Sequence, residues 1–197
     1  MRIIRVFRGL FYTLFRKMKA NGRCALGGRS LIKGRGIEVG QSFSVGSDFW
    51  LESISKYYGY DYSPQILIGD NFIANNGNHI AAVNKVIIGD DVLIGSYVLI
   101  TDHAHGIYKV DDVFEQSSPL ATPRERGLSI GSIIIGDRVW IGDKVSIIGS
   151  VKIGNGVIIA ANSVVVGDVE DNVIVAGVPA RIIKKYSPLS NRWEKVA

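Results

Sequence analysis

An aliphatic side chain returns at every sixth position through Ile135, Ile141, Ile147, Ile153, Ile159 and Val165. A second column, four residues further on, runs Val139, Val145, Val151, Val157, Ser163 and Val169. An α-helix repeats near 3.6 residues and a half-exposed strand near 2, so a period of six belongs to neither. It fits a triangular solenoid of parallel β-strands. Each hexapeptide forms one side, turns its aliphatic residue into the prism and stacks it on the equivalent residue one coil later. Gly136, Gly142 and Gly154 directly follow the aliphatic residue and supply the turns between very short strands.

The same phase occurs earlier at Ile68, Ala74 and Ile80, resets, and resumes at Ile88, Ile94 and Ile100, with weaker matches at Val39, Val45 and Leu51. These positions predict an all-β domain over residues 25–180. Two stretches leave the repeat. The first, about 55–64, holds Tyr57, Tyr58, Tyr60 and Tyr62 and reads as an aromatic loop that either covers a neighbouring subunit or stacks on sugar rings. The second, about 103–132, carries Pro119, Pro123 and Arg124-Glu125-Arg126 and shifts the phase on its return. A long excursion from a regular solenoid points to function.

The net charge of +5 suggests nucleic acid until it is divided along the chain. Residues 1–20 hold six Lys or Arg and no acid, residues 181–197 hold five against Glu194, and the body between holds twelve against seventeen acids. Basic ends on an acidic body argue against a continuous phosphate-tracking groove, and no nucleic-acid partner is expected. Within residues 1–20, Ile3, Ile4, Phe7, Leu10, Phe11, Leu14, Phe15 and Met18 share one side of a helical wheel, opposite most of the basic residues. The pattern predicts a basic amphipathic helix, too interrupted by arginine to span a membrane. It suits either a cap on the open end of the prism or contact with an anionic membrane surface. Residues 181–197 read as a basic C-terminal tail. Cys24 is the single cysteine and no secretory signal pattern is present, so a cytoplasmic location is expected, peripheral at the inner face of the membrane where the helix binds lipid.

Of the three histidines, His103 and His105 lie in Thr101-Asp102-His103-Ala104-His105-Gly106, where the repeat departs into its long loop. That is the place to seek a general base. His79 reads as a polar turn residue, and Asp102 either orients an imidazole or closes the turn.

Four segments now stand together: Ile88-Gly89-Asp90-Asp91-Val92-Leu93-Ile94-Gly95, Asp102-His103-Ala104-His105-Gly106, Ile135-Gly136-Asp137-Arg138-Val139-Trp140-Ile141-Gly142, and Ala176-Gly177-Val178-Pro179-Ala180-Arg181. Over residues 65–186 the chain resembles the bacterial hexapeptide-repeat O-acetyltransferases, especially those of lipopolysaccharide O-antigen or capsule biosynthesis and, more distantly, the galactoside and maltose acetyltransferases. The resemblance implies a left-handed parallel β-helix, a homotrimer with active sites between neighbouring prisms, and acetyl-CoA as acyl donor with no metal. It also implies direct transfer to a sugar hydroxyl of a glycan or sugar nucleotide. The catalytic histidine of the galactoside and maltose enzymes aligns with His105, with His103 as the alternative. Asn75 matches an asparagine that contacts the acceptor, whereas their nearby acceptor-binding Asp falls on Val83, which argues against an identical acceptor. The cofactor pattern falls on Asp143, Ala161, Val166, Gly167, Arg181 and Lys184, with Trp140 close to the same groove. Arg181, Lys184 and Lys185 suit the phosphates of CoA. The plain structural alternatives are a Trp140 packed between coils and lysines that are solvated tail charges. Three other functions suit the same fold: N-acetylation of an amino-sugar nucleotide, a metal-dependent lyase of the carbonic-anhydrase kind, and a noncatalytic scaffold. The spacing of His79 from the His-x-His pair does not suit the zinc site that the second requires.

Overall fold

The computed structural model describes residues 18–108 and 116–196. Six coils stack into a prism. The first holds β1 (Lys19–Ala20), β2 (Cys24–Leu26) and β3 (Leu31–Lys33). The second holds β4 (Ile37–Val39), β5 (Phe43–Val45) and β6 (Trp50–Ser53), and is followed by a hairpin of β7 (Lys56–Tyr57) and β8 (Tyr60–Asp61). The third holds β9 (Gln65–Ile68), β10 (Ile73–Ala74) and β11 (His79–Ala82). The fourth holds β12 (Lys85–Ile88), β13 (Leu93–Ile94) and β14 (Leu99–Thr101), and its excursion leaves along β15 (His103–His105) and returns along β16 (Leu128–Ile130). The fifth holds β17 (Ser132–Ile135), β18 (Trp140–Ile141) and β19 (Ser146–Ile148), the sixth β20 (Val151–Ile153), β21 (Ile158–Ile159) and β22 (Val164–Val165). The chain closes with β23 (Val173–Gly177), β24 (Ala180–Ser187) and β25 (Arg192–Lys195).

The three sides of the prism are parallel sheets: β1-β4-β9-β12-β17-β20, β2-β5-β10-β13-β18-β21-β23, and β3-β6-β11-β14-β19-β22. Both six-residue columns point inward. Ile135, Ile141, Ile147, Ile153, Ile159 and Val165 are buried, as are Val139, Val145, Val151, Val157, Ser163 and Val169. Stacked sheets of this kind satisfy the backbone only between coils, and each coil hides its apolar edge only against its neighbours. Toward the N-terminal end the inner positions widen: Phe43 stacks on Phe72 with ring centroids 5.3 Å apart and meets Phe49 edge-on at 6.0 Å.

Partners in the last regular coils lie eighteen residues apart, as Ile133 and Val151 do. Val86 and Ile66 lie twenty apart. The extra two residues widen the corner between β11 and β12, and this is the reset of phase seen between Ile80 and Ile88. Asp102 fills that corner. Its fully buried carboxylate accepts the N–H groups of Val83 (2.9 Å), Asn84 (2.8 Å) and Lys85 (2.7 Å), so a wide turn that would strand three backbone donors is capped by one side chain.

The recurrent aliphatic-Gly-Asp motif has a similar origin. At the corner after the first sheet, Asp70 Oδ1 accepts from Gln41 N–H, Asp90 Oδ1 from Asp70 N–H, Asp137 Oδ1 from Asp90 N–H, Asn155 Oδ1 from Asp137 N–H and Asp171 Oδ1 from Asn155 N–H, all at 2.7–2.9 Å. The preceding residue must be glycine because the next coil's corner lies against it: a Cβ on Gly89 would sit 2.2 Å from Asp137 Oδ1 and 2.8 Å from the Gly136 carbonyl carbon.

Three expectations need correction. The N-terminal helix over 1–20 lies outside the described residues up to position 17, and its last two residues form β1, paired in parallel with β4. The prism therefore begins near residue 19 rather than 25. Residues 181–197, read as a tail, belong to β24 and β25 as far as Lys195; β24 runs antiparallel to β23, and Ile182 packs against the core from the strand's inner side. No helix of the described residues is long and apolar enough to cross a membrane.

Candidate functional site

His105 ends β15, whose residues pair antiparallel with β16 in the register His103 to Ile130, Ala104 to Ser129 and His105 to Leu128. The pairing stiffens the base of the excursion and presents the His105 imidazole on the surface. The tyrosine-rich stretch is a hairpin, and it docks on this excursion. Tyr57 Oη donates to the Arg124 carbonyl oxygen (2.8 Å) and lies 3.2 Å from His105 Nδ1, while its ring meets the imidazole edge-on at 5.2 Å. Tyr58 Oη donates to Glu125 Oε1 (3.0 Å), a bond that raises the phenol's pKa, and the Arg124 guanidinium lies 6.0 Å from the centroid of the Tyr58 ring.

His103 stands differently. Its Nδ1 is 3.0 Å from Asp102 Oδ1 and 3.1 Å from Thr101 Oγ1, and its side chain is 13% exposed. Asp102 thus does both things the sequence allowed: it closes a turn and it holds an imidazole. His79 is no turn residue. It opens β11, stacks on Trp50 with centroids 4.1 Å apart, and lies 3.3 Å from Glu52 Oε1. Burial lowers its pKa against the opposing pull of Glu52. Among the described residues no three His, Cys, Asp or Glu side chains are grouped to hold a metal ion.

Asn75, Trp140, Asp143 and Ala161 come together. They line a groove of about 570 Å³ across the second sheet, with Leu93, Ile158 and Ile174 as its apolar wall and Gly95, Gly142 and Ala160 as its low floor. Trp140 does not pack between coils; it is half-exposed on the outer face, between Leu93 and Ile158 of the adjoining strands. Asn75 occupies the corner position that Gly46, Gly95 and Gly142 fill in other coils, so its amide projects where they leave bare backbone. One Asp143 oxygen is taken up by the Ser96 N–H at 2.6 Å.

Val166, Gly167 and Arg181 line a second, smaller groove of about 340 Å³ beside β24. Lys184 lines neither groove, but stands on β24 directly opposite Ile174 of the first. Lys185 forms an exposed ion pair with Glu170 at 2.5 Å. Neither groove is lined by His105 or His103. Val83 is buried inside the widened corner, its N–H held by Asp102.

Residues 132–167 match the bacterial transferase hexapeptide family, in its six-repeat form. A solved galactoside acetyltransferase in complex with coenzyme A is 31% identical, with a TM-score of 0.53, over 78% of this chain and 72% of that one. The chain belongs to the hexapeptide-repeat acetyltransferases. Its solenoid is the left-handed parallel β-helix of that family. A protein of Escherichia coli K12 named as a lipopolysaccharide biosynthesis O-acetyl transferase, WbbJ, is 47% identical over 130 residues, which cover 66% of this chain and 65% of that relative. The match thus spans just under two thirds of the relative's length. The Bacillus cereus N-acyltransferase AntD shares the fold, with a TM-score of 0.64 at 19% identity over 92% of this chain and 90% of that one.

Against this hexapeptide-repeat background, Tyr57 and Glu52 are the residues sequence reasoning did not single out. Tyr57 was visible only as one of four tyrosines. The buried Glu52 carries no motif, although its place after an outward Trp50 breaks the apolar pattern.

Proposed function

We propose that the protein is an acetyl-CoA-dependent O-acetyltransferase that modifies a sugar hydroxyl during bacterial surface-polysaccharide biosynthesis. The observation that carries this reading is the groove holding Asn75, Trp140, Asp143 and Ala161 together on an acetyltransferase solenoid. Its volume falls within the range of small-molecule sites, and its mixture of apolar wall and bare backbone suits a long, amide-bearing thiol arm. Trp140, Asp143 and Ala161 would hold the acyl donor there, and Val166, Gly167, Arg181 and Lys184 would receive its nucleotide end.

His105 serves as general base. Its exposed ring takes the proton of the acceptor hydroxyl at Nε2 while that oxygen forms a bond to the thioester carbonyl carbon. The carbon–sulfur bond then breaks, the same nitrogen returns its proton to the departing thiolate, and the products are the O-acetyl sugar and the free CoA thiol. Such a base contributes about 10²- to 10⁴-fold. His103, largely buried and tied to Asp102, is the weaker candidate.

Since His105 lines neither groove, a complete site takes His105 from one prism and the groove from its neighbour in a homotrimer. Asn75 at the groove's edge contacts the acceptor, a glycan or sugar nucleotide. Residues 1–17, with five cations and an apolar side, hold this cytoplasmic enzyme at the anionic inner membrane face near a lipid-linked or nucleotide-linked acceptor.

The test is thiol release from acetyl-CoA with a panel of methyl hexopyranosides and surface-glycan fragments as acceptors. His105→Ala is expected to lose at least about 100-fold, while calorimetry shows acetyl-CoA binding within about twofold of wild type. Wild-type turnover in His105→Ala, with His103→Ala inactive, would reassign the base; no acetyl-CoA binding at all would sink the transferase reading.

A further inference from the structure

We propose that Tyr57 is a positioning residue that selects the reactive tautomer of His105; the inference rests on His105 being the general base. The Tyr57 hydroxyl has one proton and two neighbours, the Arg124 carbonyl oxygen at 2.8 Å and His105 Nδ1 at 3.2 Å. A carbonyl oxygen only accepts, so the phenolic proton is committed to Arg124. The second contact is a hydrogen bond only when His105 Nδ1 carries the N–H and donates it to the phenolic oxygen. A neutral imidazole protonated at Nδ1 bears its lone pair on Nε2, and the tyrosine thereby leaves Nε2 as the basic nitrogen.

The ring orientation is fixed by the same residue, since the Tyr57 ring stands edge-on to the imidazole with 65° between planes. Around this pair the hairpin is pinned at one further point. Tyr58 bonds to Glu125, next to the carbonyl that receives the Tyr57 proton. Tyr57 therefore holds the histidine ring while its own hairpin is anchored to the same excursion. The insertion after the second coil is an orienting clamp for the insertion after the fourth.

The consequence can be read without turnover. In full-length protein labelled with ¹⁵N-histidine, with His105 assigned by comparison with His105→Gln, the neutral ring is expected to show Nδ1 protonated and Nε2 bare. Tyr57→Phe keeps the aromatic packing and removes the oxygen; the tautomer mixture is expected to move toward Nε2–H. With a methyl hexopyranoside that the wild type accepts, kcat is expected to fall about tenfold while KM for acetyl-CoA stays within about twofold. Tyr58→Phe, which loosens the hairpin and leaves the Tyr57 oxygen in place, is expected to keep the wild-type tautomer. A wild-type ring protonated at Nε2, an unchanged mixture in Tyr57→Phe, or an equal shift in Tyr58→Phe would each overturn the assignment. A fully active His105→Gln would instead defeat the general-base reading, whatever the spectra show.

Discussion

Asp102→Ala offers a quantitative check on how the widened corner is held. The carboxylate is fully buried and accepts three backbone N–H groups at 2.7–2.9 Å. Leaving a buried donor unpaired costs about 1–3 kcal/mol, so three would cost about 3–9. Water entering the vacated space recovers part of this, and a loss of about 3–5 kcal/mol is expected, a large share of the 5–15 kcal/mol typical of a folded domain. Asp137→Ala, a partly buried member of the corner ladder that accepts only the Asp90 N–H, serves as the control and should lose about 1 kcal/mol. The assay is guanidinium unfolding combined with amide hydrogen exchange. In Asp102→Ala the amides of Val83, Asn84 and Lys85 should lose protection before those of neighbouring coils. Equal losses in the two variants, or undiminished protection at the three amides, would refute the view that this side chain caps the corner.

Gly89→Ala should destabilise by about 1–3 kcal/mol, measured by thermal unfolding, because its Cβ would meet the next coil's Asp137 and Gly136. Trp140→Ala, on a half-exposed outer position, should change unfolding by less than about 1 kcal/mol yet weaken acetyl-CoA binding about tenfold by calorimetry. The His79 pKa is lower in the folded protein than in the unfolded chain, so the unfolded chain binds more protons between the two values. Its contribution to stability is therefore lost as pH falls through the ordinary histidine range, and His79→Gln should flatten the decline in urea midpoint between pH 7.5 and 5.5. Burial pushes the Cys24 thiol up to about 12, so iodoacetamide at pH 8 should label the unfolded chain and spare the folded one.

The inward columns were legible because a strict period leaves few alternatives: once Ile135 through Val165 repeat by six, all of them must point inward. The reset between Ile80 and Ile88 was equally visible as two surplus residues, but nothing local to Asp102 announced that its carboxylate would pay for them. Asn75 and Asp143 come together only because their corners stack two coils apart, a vertical relation that depends on how many residues each intervening excursion removes from the path. Tyr57 and His105, forty-eight positions apart, meet because two insertions leave the prism close enough to touch, and insertions carry no repeat from which such a meeting could be read. The basic C-terminal residues resembled a tail because charge dominates their composition; the two-residue alternation that places Ile182 against the core is short and easily hidden.

The corner ladder of Asp70, Asp90, Asp137, Asn155 and Asp171 has a direction, because each acceptor belongs to the later coil and each donor to the earlier one. Shortening the chain by one coil from its C-terminal end therefore hands the preceding corner's N–H to water, whereas removing a coil from the N-terminal end leaves every remaining donor of the ladder answered.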